Sequence, residues 1–407
     1  MMKLVKEGSV TTPDGFAAGA ADGRIKKPGQ LDVAIIYSHR PCATAAVFTQ
    51  NQVAAAPVIV DRETLQNNRR HIHAVVANSG NANACTGQIG LENTRRIQSL
   101  AANALGCQNS QILVLSTGVI GVQLPMDRVA GGIKEAANTL EPDNGSLAAQ
   151  AIMTTDTYPK HTAIRVELAE GVVTIGGIAK GAGMIHPNMA TLLGIFTTDA
   201  AIEPDLLDRL LRTAVGQSFN RISIDGDTST NDTVLLLANG ASGVHISDQQ
   251  DIERFQLALN TITSALAKTI VRDGEGATKF VEIIVAGAPD VQSAHMVAST
   301  ISTSPLVKTA FAGSDANWGR ILAAAGRAGI AFDQNQVSLS IGVADPDQLN
   351  IVAQGTPTSY QEADAAAIFN EPEFKILLDL GAGTGTATMW TSDLSHEYIT
   401  INADYRT

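Results

Sequence analysis

The stretch KGAGMIHPNMATLLGIF, residues 180–196, has an unusual construction. A segment of small residues begins at Lys180 and leads to His186-Pro187, where the interior of a helix is excluded. The proline fixes its own φ and moves the preceding residue away from the α region. Thr191 follows, and the apolar run 192–196 predicts a buried strand. A hydroxyl residue therefore stands just before a core strand and after an irregular loop, where a nucleophile can be both rigid and accessible.

The residues alone leave two interpretations of Thr191. In the first, it is a β-branched residue that opens a strand and has no chemical role. In the second, the chain cuts the peptide bond before it, so that Thr191 gains a free α-amine. A threonine with its own N-terminal amine is an established pair of nucleophile and base.

The whole string KGAGMIHPNMATLL resembles the autocleavage segment of the glutamate N-acetyltransferase (ornithine acetyltransferase) family of arginine biosynthesis. The resemblance implies that the chain cuts itself between Ala190 and Thr191, and that Thr191 is then the catalytic nucleophile. Other segments that resemble the family follow one another along the chain: PCATAAVFTQN (41–51), NSGNANACTG (78–87), STG (116–118), TTDT (154–157), EGATK (275–279), DANWGR (315–320) and the C-terminal residues 398–407.

Length and composition describe an ordinary globular chain. It has 407 residues, 44% of them hydrophobic, and a formal net charge of −12, which argues against nucleic acid and anionic membranes as partners. The three cysteines form no C-x-x-C pair, and a reducing compartment is expected. We see no signal peptide and no apolar run long enough to span a membrane, so the expected location is the cytoplasm.

The order of elements predicts a layered α/β fold. Buried strands at 112–115 and 234–238 alternate with amphipathic helices at 89–105, 204–216 and 248–268. The family resemblance implies two stacked sheets flanked by helices, an αββα-like body, with a smaller α+β C-terminal unit. The expected divisions are 1–190 as the first chain after cleavage, 191–285 as the part of the second chain that completes the body, and 286–407 as the C-terminal unit.

The end of the strand at 112–115 is a candidate oxyanion hole. Ser116, Thr117 and Gly118 follow this strand directly, so hydroxyl and amide groups can point into a cleft. An oxyanion hole needs such donors about 3 Å from the developing charge. On its own a Ser-Thr-Gly sequence is also a common turn. The resemblance assigns Thr117 and Gly118 to the oxyanion hole, and we expect the loops 116–118, 180–191 and 274–276 to converge.

The same resemblance assigns substrate-binding roles to several residues. The residue types agree with these roles but do not establish them. Lys180 is expected to hold a carboxylate, and Glu275, between two glycines just before a strand, is expected to hold an amine. The remaining substrate-binding residues implied by the resemblance are Thr157, Thr191, Asn402 and Thr407.

We expect no metal and no cofactor. The pair His71-x-His73 lacks a nearby third ligand. Asp225, Asp227 and Asp232 in SIDGDTSTND lack the fixed glycine and the terminal glutamate of a calcium loop. Acetyl-CoA stays open as a possible acetyl donor.

The segment ILLDLGAGTG, residues 376–385, looks like the glycine-rich loop of a methyltransferase. Such a loop should open a helix, whereas the residues 386–391 are β-branched and alternating and predict a strand. We therefore interpret 381–385 as a wide hairpin turn, and residues 398–407 as a strand with a short tail. Two rival functions remain: a methyltransferase or nucleotide-binding protein, and an aminopeptidase or amidase on the same self-cleaving fold.

The function implied by the resemblance is transfer of the acetyl group from N2-acetyl-L-ornithine to L-glutamate through an acetyl-enzyme. The two cleaved chains are expected to stay together as a heterodimer, and two heterodimers are expected to form a heterotetramer. The other expected partners are small amino-acid substrates.

Overall fold

The structure, a computed structural model, describes residues 2–186, 192–344 and 348–404. Ala190, Thr191 and Thr407, which the sequence assigns to the site, lie outside the described residues. The strands are β1 (Met2–Leu4), β2 (Phe16–Ala21), β3 (Val33–Phe48), β4 (Ile72–Asn81), β5 (Ile112–Val119), β6 (Lys160–Leu168), β7 (Gly171–Lys180), β8 (Leu193–Thr198), β9 (Ile222–Ser223), β10 (Thr233–Ala238), β11 (Phe280–Ala288), β12 (Ser338–Gly342), β13 (Gln348–Ala353), β14 (Thr356–Pro357), β15 (Glu373–Asp379) and β16 (Gly385–Ser392).

Helices lie where apolar spacing predicts them, at 89–105, 204–216 and 248–268. The described helices are α1 (Ala56–Asn68), α2 (Gly87–Leu105), α3 (Met126–Asn138), α4 (Gly145–Ala151), α5 (Pro204–Gln217), α6 (Gln249–Arg272), α7 (Val291–Ser302), α8 (Pro305–Ala312), α9 (Trp318–Gly326), α10 (Glu362–Asn370) and α11 (His396–Ala403). Among them, none is long and apolar enough to cross a bilayer. Gly106 ends α2 in the left-handed region at φ 70°, as expected for a glycine cap.

The chain forms two compact units. The first contains residues 1–181, 188–220 and 228–270, and the second contains 182–187, 221–227 and 271–407. β11 pairs with β15 and β16 and so belongs to the second unit, whereas the sequence placed 280–285 in the catalytic body. The division at the predicted cut is of another kind and stays a prediction.

The first unit is built on two sheets that share β3. The N-terminal half of β3 pairs with β2 and β4, and its C-terminal half pairs with β10. The ladder between β3 and β4 shifts register between Tyr37 and Cys42, where β3 passes from one sheet to the other. The second sheet runs in the order β1-β6-β7-β8-β10-β3.

The core of the first unit lies between these two sheets and on their outer faces. The inner core takes Ile36 and Leu113 from one sheet and Ile195 and Leu235 from the other. On the outer face of the first sheet, side chains of α2 and α3 pack against β3, β4 and β5. On the second sheet, Phe196 packs near Leu266 of α6. The order helix–sheet–sheet–helix confirms the predicted αββα-like body.

The second unit is an α+β unit with its own core. Its sheet has the order β14-β13-β12-β15-β11-β16-β9. Side chains of α7, α8, α9 and α10 cover this sheet. Three aromatic rings pack together in this core: Phe369 and Phe374 are stacked with their ring centroids 4.6 Å apart, and Phe311 lies edge-on to Phe374. The C-terminal part of the chain therefore folds as a separate α+β layer, as predicted.

Two local predictions are wrong. The glycine-rich loop 381–384 is not a hairpin, because β15 and β16 do not pair with each other but lie on opposite sides of β11. The residues after it do form a strand, which argues against a nucleotide-binding loop. Residues 396–403 form α11 where a strand was expected from their β-branched residues.

Candidate active site

The end of β5 and the end of β7 bring two of the predicted site residues together in the first unit. Thr117 and Lys180 are 4% and 3% exposed. The Lys180 Nζ donates a hydrogen bond of 3.4 Å to the Thr117 Oγ1. Because the hydroxyl oxygen accepts this bond, the Thr117 hydrogen stays available to donate to a substrate oxygen.

Gly118 has a backbone conformation that only glycine adopts readily. Its φ is 132°. A Cβ at this position would lie 2.3 Å from the carbonyl carbon of Gly80 in the neighbouring strand. The glycine therefore lets β5 approach the end of β4 closely, next to Thr117.

A buried ion cluster surrounds the Lys180 ammonium. The Asp156 carboxylate accepts from the Lys160 Nζ at 2.7 Å and lies 4.0 Å from the Lys180 Nζ. It also accepts from the backbone N–H of Gly181 at 2.8 Å. Two ammonium groups thus lie near one carboxylate in a buried place. Such a cluster is suited to an anionic group of a ligand.

The electrostatics of this cluster favour an ionised Asp156. Burial would raise the pKa of Asp156, but the Lys180 and Lys160 ammonium groups outweigh it and lower the pKa to about 2. The charges of Asp156 and Lys180 also act on the pKa of Lys26. Burial lowers the pKa of Lys26, Lys180 lowers it further, and Asp32 and Asp156 act in the opposite direction.

The segment that starts β8 is held by a second buried carboxyl group. The Oδ1 of Asp232 accepts from the backbone N–H of Leu192 at 2.9 Å. Burial raises the pKa of Asp232 well above its usual range, and the Leu192 N–H and the Lys180 charge only partly offset this. From the sequence, Asp232 is considered only as a possible metal ligand.

The asparagine-rich loop 78–87 uses its polar side chains to hold the end of β5. Asn78 Oδ1 accepts from Ser116 Oγ at 2.6 Å. Asn231 donates to the carbonyl oxygens of Ala82 and Ser116 at 2.6 and 2.8 Å. These bonds fix the backbone directly before Thr117.

In the second unit, the predicted residues Glu275 and Asn402 are in contact. The Asn402 Nδ2 donates to the Glu275 Oε2 at 2.7 Å, from the last turn of α11. The Glu275 N–H donates to the Ala182 carbonyl at 2.8 Å. A Cβ on Gly183 would lie 2.3 Å from the same Glu275 carboxylate, so this part of the motif passes closely over Glu275.

The same unit holds the next residues of the motif through Asp225. Its carboxylate accepts from the backbone N–H groups of Met184 and Ile185, the first at 2.5 Å and the second at 2.9 Å. The Tyr398 hydroxyl donates to it at 3.2 Å. Met184 has a φ of 58°, which is uncommon for a residue with a side chain, and Asp225 secures that conformation.

Thr157 is exposed in the loop after α4, one residue from Asp156. Within the described ranges no group of three or more histidine, cysteine, aspartate or glutamate side chains is placed to hold a metal ion. Sequence reasoning did not identify Asp156, Lys160 or Lys26 as site residues. The only signal for Asp156 was its place inside the TTDT segment, because the pairing of buried charges depends on contacts distant in sequence.

The comparisons with known proteins agree over the whole chain. Residues 17–407 match the ArgJ family profile. The arginine biosynthesis bifunctional protein ArgJ of Symbiobacterium thermophilum is 49% identical over 404 residues, which cover 98% of this chain and 99% of that protein. The protein of the same name from Geobacter sulfurreducens is 48% identical and covers 97% of this chain and 99% of its own length.

Two solved structures are also similar. The crystal structure of the arginine biosynthesis bifunctional protein argJ from Bacillus halodurans is 38% identical and has a TM-score of 0.44; the match covers 47% of this chain and 98% of that one. The ornithine acetyltransferase of Mycobacterium tuberculosis, solved in complex with ornithine, is 37% identical and has a TM-score of 0.43. That match covers 46% of this chain and 98% of the other.

Proposed function

The chain belongs to the ArgJ family and is an N-acetyltransferase, and from this premise we propose that it carries the acetyl group of N2-acetyl-L-ornithine to L-glutamate. The products are ornithine and N-acetylglutamate, an exchange that serves arginine biosynthesis. The observation that supports this most directly is the buried cluster at the ends of β5 and β7, where the Thr117 hydroxyl, the Lys180 ammonium and the Asp156 carboxylate meet.

The first step in the proposal is self-cleavage. The Thr191 Oγ attacks the Ala190 carbonyl carbon, the peptide C–N bond breaks, and the freed nitrogen takes the hydroxyl proton. Water then hydrolyses the ester. This releases the Ala190 carboxylate and leaves Thr191 with a free amine and a free hydroxyl.

In the second step, the amine of Thr191 acts as general base. The usual pKa of an α-amine is about 8, so a useful fraction is neutral near physiological pH. The amine takes the proton of Oγ while Oγ bonds to the acetyl carbonyl carbon. We assign stabilisation of the resulting oxyanion to the Thr117 hydroxyl and the Gly118 amide. Collapse of the tetrahedral intermediate returns the proton to the leaving nitrogen, ornithine departs, and acetyl-Thr191 remains.

In the third step, glutamate enters and its amine takes the acetyl group from Thr191, which completes a ping-pong cycle. We assign the substrate carboxylate to Lys180, whose buried ammonium group favours an anion. We assign a substrate amine to Glu275, a residue that is 9% exposed and whose carboxylate accepts from Asn402. Thr157, Asn402 and Thr407 complete the proposed set of substrate contacts.

Acetyl-CoA is a second candidate donor, and the name of the relatives, arginine biosynthesis bifunctional protein, favours it. With acetyl-CoA, the thioester carbonyl would load Thr191 in the same way and glutamate would accept the acetyl group. The cytoplasmic location and the pairing of heterodimers to a heterotetramer stay predictions.

Purified protein incubated with N-acetylornithine and glutamate is expected to form ornithine and N-acetylglutamate in equal amounts. Isotope-labelled acetyl should appear in a covalent adduct on the peptide that begins at Thr191, because the mechanism passes through an acetyl-enzyme. Thr191→Ala is the control and should form neither product. Release of free acetate at the same rate with and without glutamate would contradict the proposal and favour a hydrolase. Acetyl-CoA as the sole donor tests the second activity.

A further inference from the structure

Asp232 lies in the loop SIDGDTSTND, residues 223–232, to which the proposed mechanism gives no role. Asp232 is fully buried, directly before β10. β10 pairs in parallel with β8, with Thr233 opposite Leu193, and the Thr233 N–H donates to the Leu192 carbonyl at 3.2 Å. The side chain therefore stands where β8 begins, one residue after the predicted cut.

The Asp232 carboxyl group accepts a hydrogen bond from the backbone at this point. Its Oδ1 accepts from the Leu192 N–H at 2.9 Å. Leu192 is the residue after Thr191, and consecutive Cα atoms are about 3.8 Å apart. This hydrogen bond therefore holds the backbone at the residue that directly follows Thr191 in the sequence.

The residue before Asp232 holds the other half of the proposed site. Asn231 donates to the carbonyl of Ser116, which immediately precedes Thr117. Two adjacent residues of one buried loop thus secure the end of β5 and the start of β8, both within the first unit. A catalytic pair requires this kind of fixed spacing, because a displacement of about 1 Å can cost a hundredfold in rate.

The second carboxyl oxygen of Asp232 is also unusual. Among the described residues, Oδ2 is buried without a hydrogen-bond partner. Most buried polar atoms in proteins are hydrogen-bonded, and each exception calls for an explanation. An apolar residue would avoid this cost, so the carboxyl group is better explained by the acceptor that it offers to Leu192 than by packing.

We propose that Asp232 is a positioning residue for self-cleavage and acetyl transfer, which acts by holding the Leu192 N–H and so fixing the backbone next to the nucleophile. This inference rests on the proposed function. It concerns a residue that needs no contact with the substrate, and it identifies the acceptor oxygen rather than the negative charge as the property that matters.

The test compares Asp232→Ala, Asp232→Asn and Asp199→Ala. Asparagine keeps a carbonyl oxygen that can accept from Leu192, and alanine does not. Asp199 is the matched control, because it is also buried and accepts from backbone N–H groups, those of Thr174 and Asp14, but it follows the opposite end of β8. For each variant that is folded by circular dichroism, the rate of self-cleavage is followed on denaturing gels.

Asp232→Ala should slow self-cleavage by about 10–100-fold, the range expected when a buried backbone N–H loses this acceptor. Asp232→Asn should stay within about threefold of the wild type, since one acceptor remains. Cleavage of Asp232→Ala at the wild-type rate overturns the proposal, and so does an Asp232→Asn that is folded but as slow as alanine. An equal delay in Asp199→Ala would show a general effect of losing a buried carboxyl group, which also overturns it.

Hydrogen exchange of the Leu192 amide provides a readout that does not depend on cleavage. Protection should fall in Asp232→Ala and persist in Asp232→Asn. If Asp232→Ala does not fold, the asparagine variant alone decides, because it must both cleave and protect Leu192. If the wild-type chain is not cleaved at all, the proposed function fails, and loss of protection only in the alanine variant still separates that failure from a failure of the Asp232 contact.

Discussion

Thr117 illustrates how one hydroxyl group can serve two neighbours. Its oxygen accepts from Lys180, which leaves its hydrogen for a developing oxyanion. The ammonium also polarises the hydroxyl and makes it a better donor, because a hydrogen bond that involves a charged group is stronger than a neutral one. The residue is buried, so the donor is already oriented before a substrate binds.

Thr117→Ala is expected to lower kcat by about 10²–10³ with little change in KM, because an oxyanion donor acts mainly in the transition state. The measurement is the steady-state rate of transfer from N-acetylornithine to glutamate. Thr117→Ser keeps the hydroxyl and should retain most of the activity. A raised KM with an unchanged kcat would instead make Thr117 a residue that binds the ground state.

Asp156 links the proposed site to stability at low pH. Its pKa is lowered to about 2 from an ordinary 3.8, chiefly because two ammonium groups outweigh burial. A group with a lowered pKa in the folded state stabilises the protein above its unfolded pKa, and this contribution is lost as the pH falls through the folded value. The contribution of Asp156 should therefore disappear between about pH 4 and pH 2.

Asp156→Asn should lower the free energy of unfolding at neutral pH by about 3–5 kcal/mol, because it leaves two buried ammonium groups without their carboxylate. Chemical denaturation from pH 2 to 7 should show that the difference from the wild type shrinks toward pH 2. Asp205→Asn is the matched control, since the Arg69–Asp205 pair has a similarly short distance of 2.6 Å but is exposed; it should change stability little, because exposed ion pairs contribute little. A constant difference across the pH range would contradict the assignment.

At the scale of elements, the sequence predicted the helices α2, α5 and α6 and the core strands β5 and β10 because their apolar pattern is local. α2 with its Gly106 cap and α5 follow from the spacing of apolar residues. The prediction of a hairpin between β15 and β16 was wrong because pairing between strands depends on residues distant in sequence. β11 lies between the two strands, and the sequence of the loop 381–384 gives no indication of this.

α11 failed for a related reason. Its β-branched residues predicted a strand, but Ile399 is 65% exposed, and none of the described strands pairs with this segment. Tertiary contacts outweigh a weak local preference. The helix places Tyr398 and Asn402 on Asp225 and Glu275.

The candidate site could be predicted in part. Thr117, Lys180, Glu275 and Asn402 came from motifs, and the structure brings each into contact with another of the four. The acidic residues that hold them, Asp156 and Asp232, could not be found in this way. A buried carboxylate is recognised by its partners in space, and those partners are supplied by other elements.

At the scale of the whole molecule, the predicted cut falls between strands that share one sheet. Residues before position 191 supply β7 and β3, and residues after it supply β8 and β10, in the order β7-β8-β10-β3. Lys180, before the predicted cut, pairs with Leu193, after it. The two predicted fragments would therefore both contribute interior strands to one sheet.

The mature protein should consequently behave as one particle that contains two chains. A denaturing gel should show two bands, and size exclusion in native buffer should show no separate fragments. The first fragment carries 16 basic and 14 acidic residues and the second 12 and 26, so ion exchange in urea should separate them widely. Thr191→Ala should give one band. Fragments that separate without denaturant would contradict the shared sheet, and an intact band from active wild-type protein would contradict the cut.

The order of β7, β8, β10 and β3 also determines whether mature molecules can exchange fragments with one another. Exchange of a fragment between two mature molecules would require β8 and β10 to leave the middle of one sheet and enter another, which amounts to unfolding the first unit. Hybrids that combine halves of two variants will then form only by joint synthesis or joint refolding, and mixing two mature preparations will leave the original partners together. The proposed self-cleavage would therefore create a pair of chains that do not exchange.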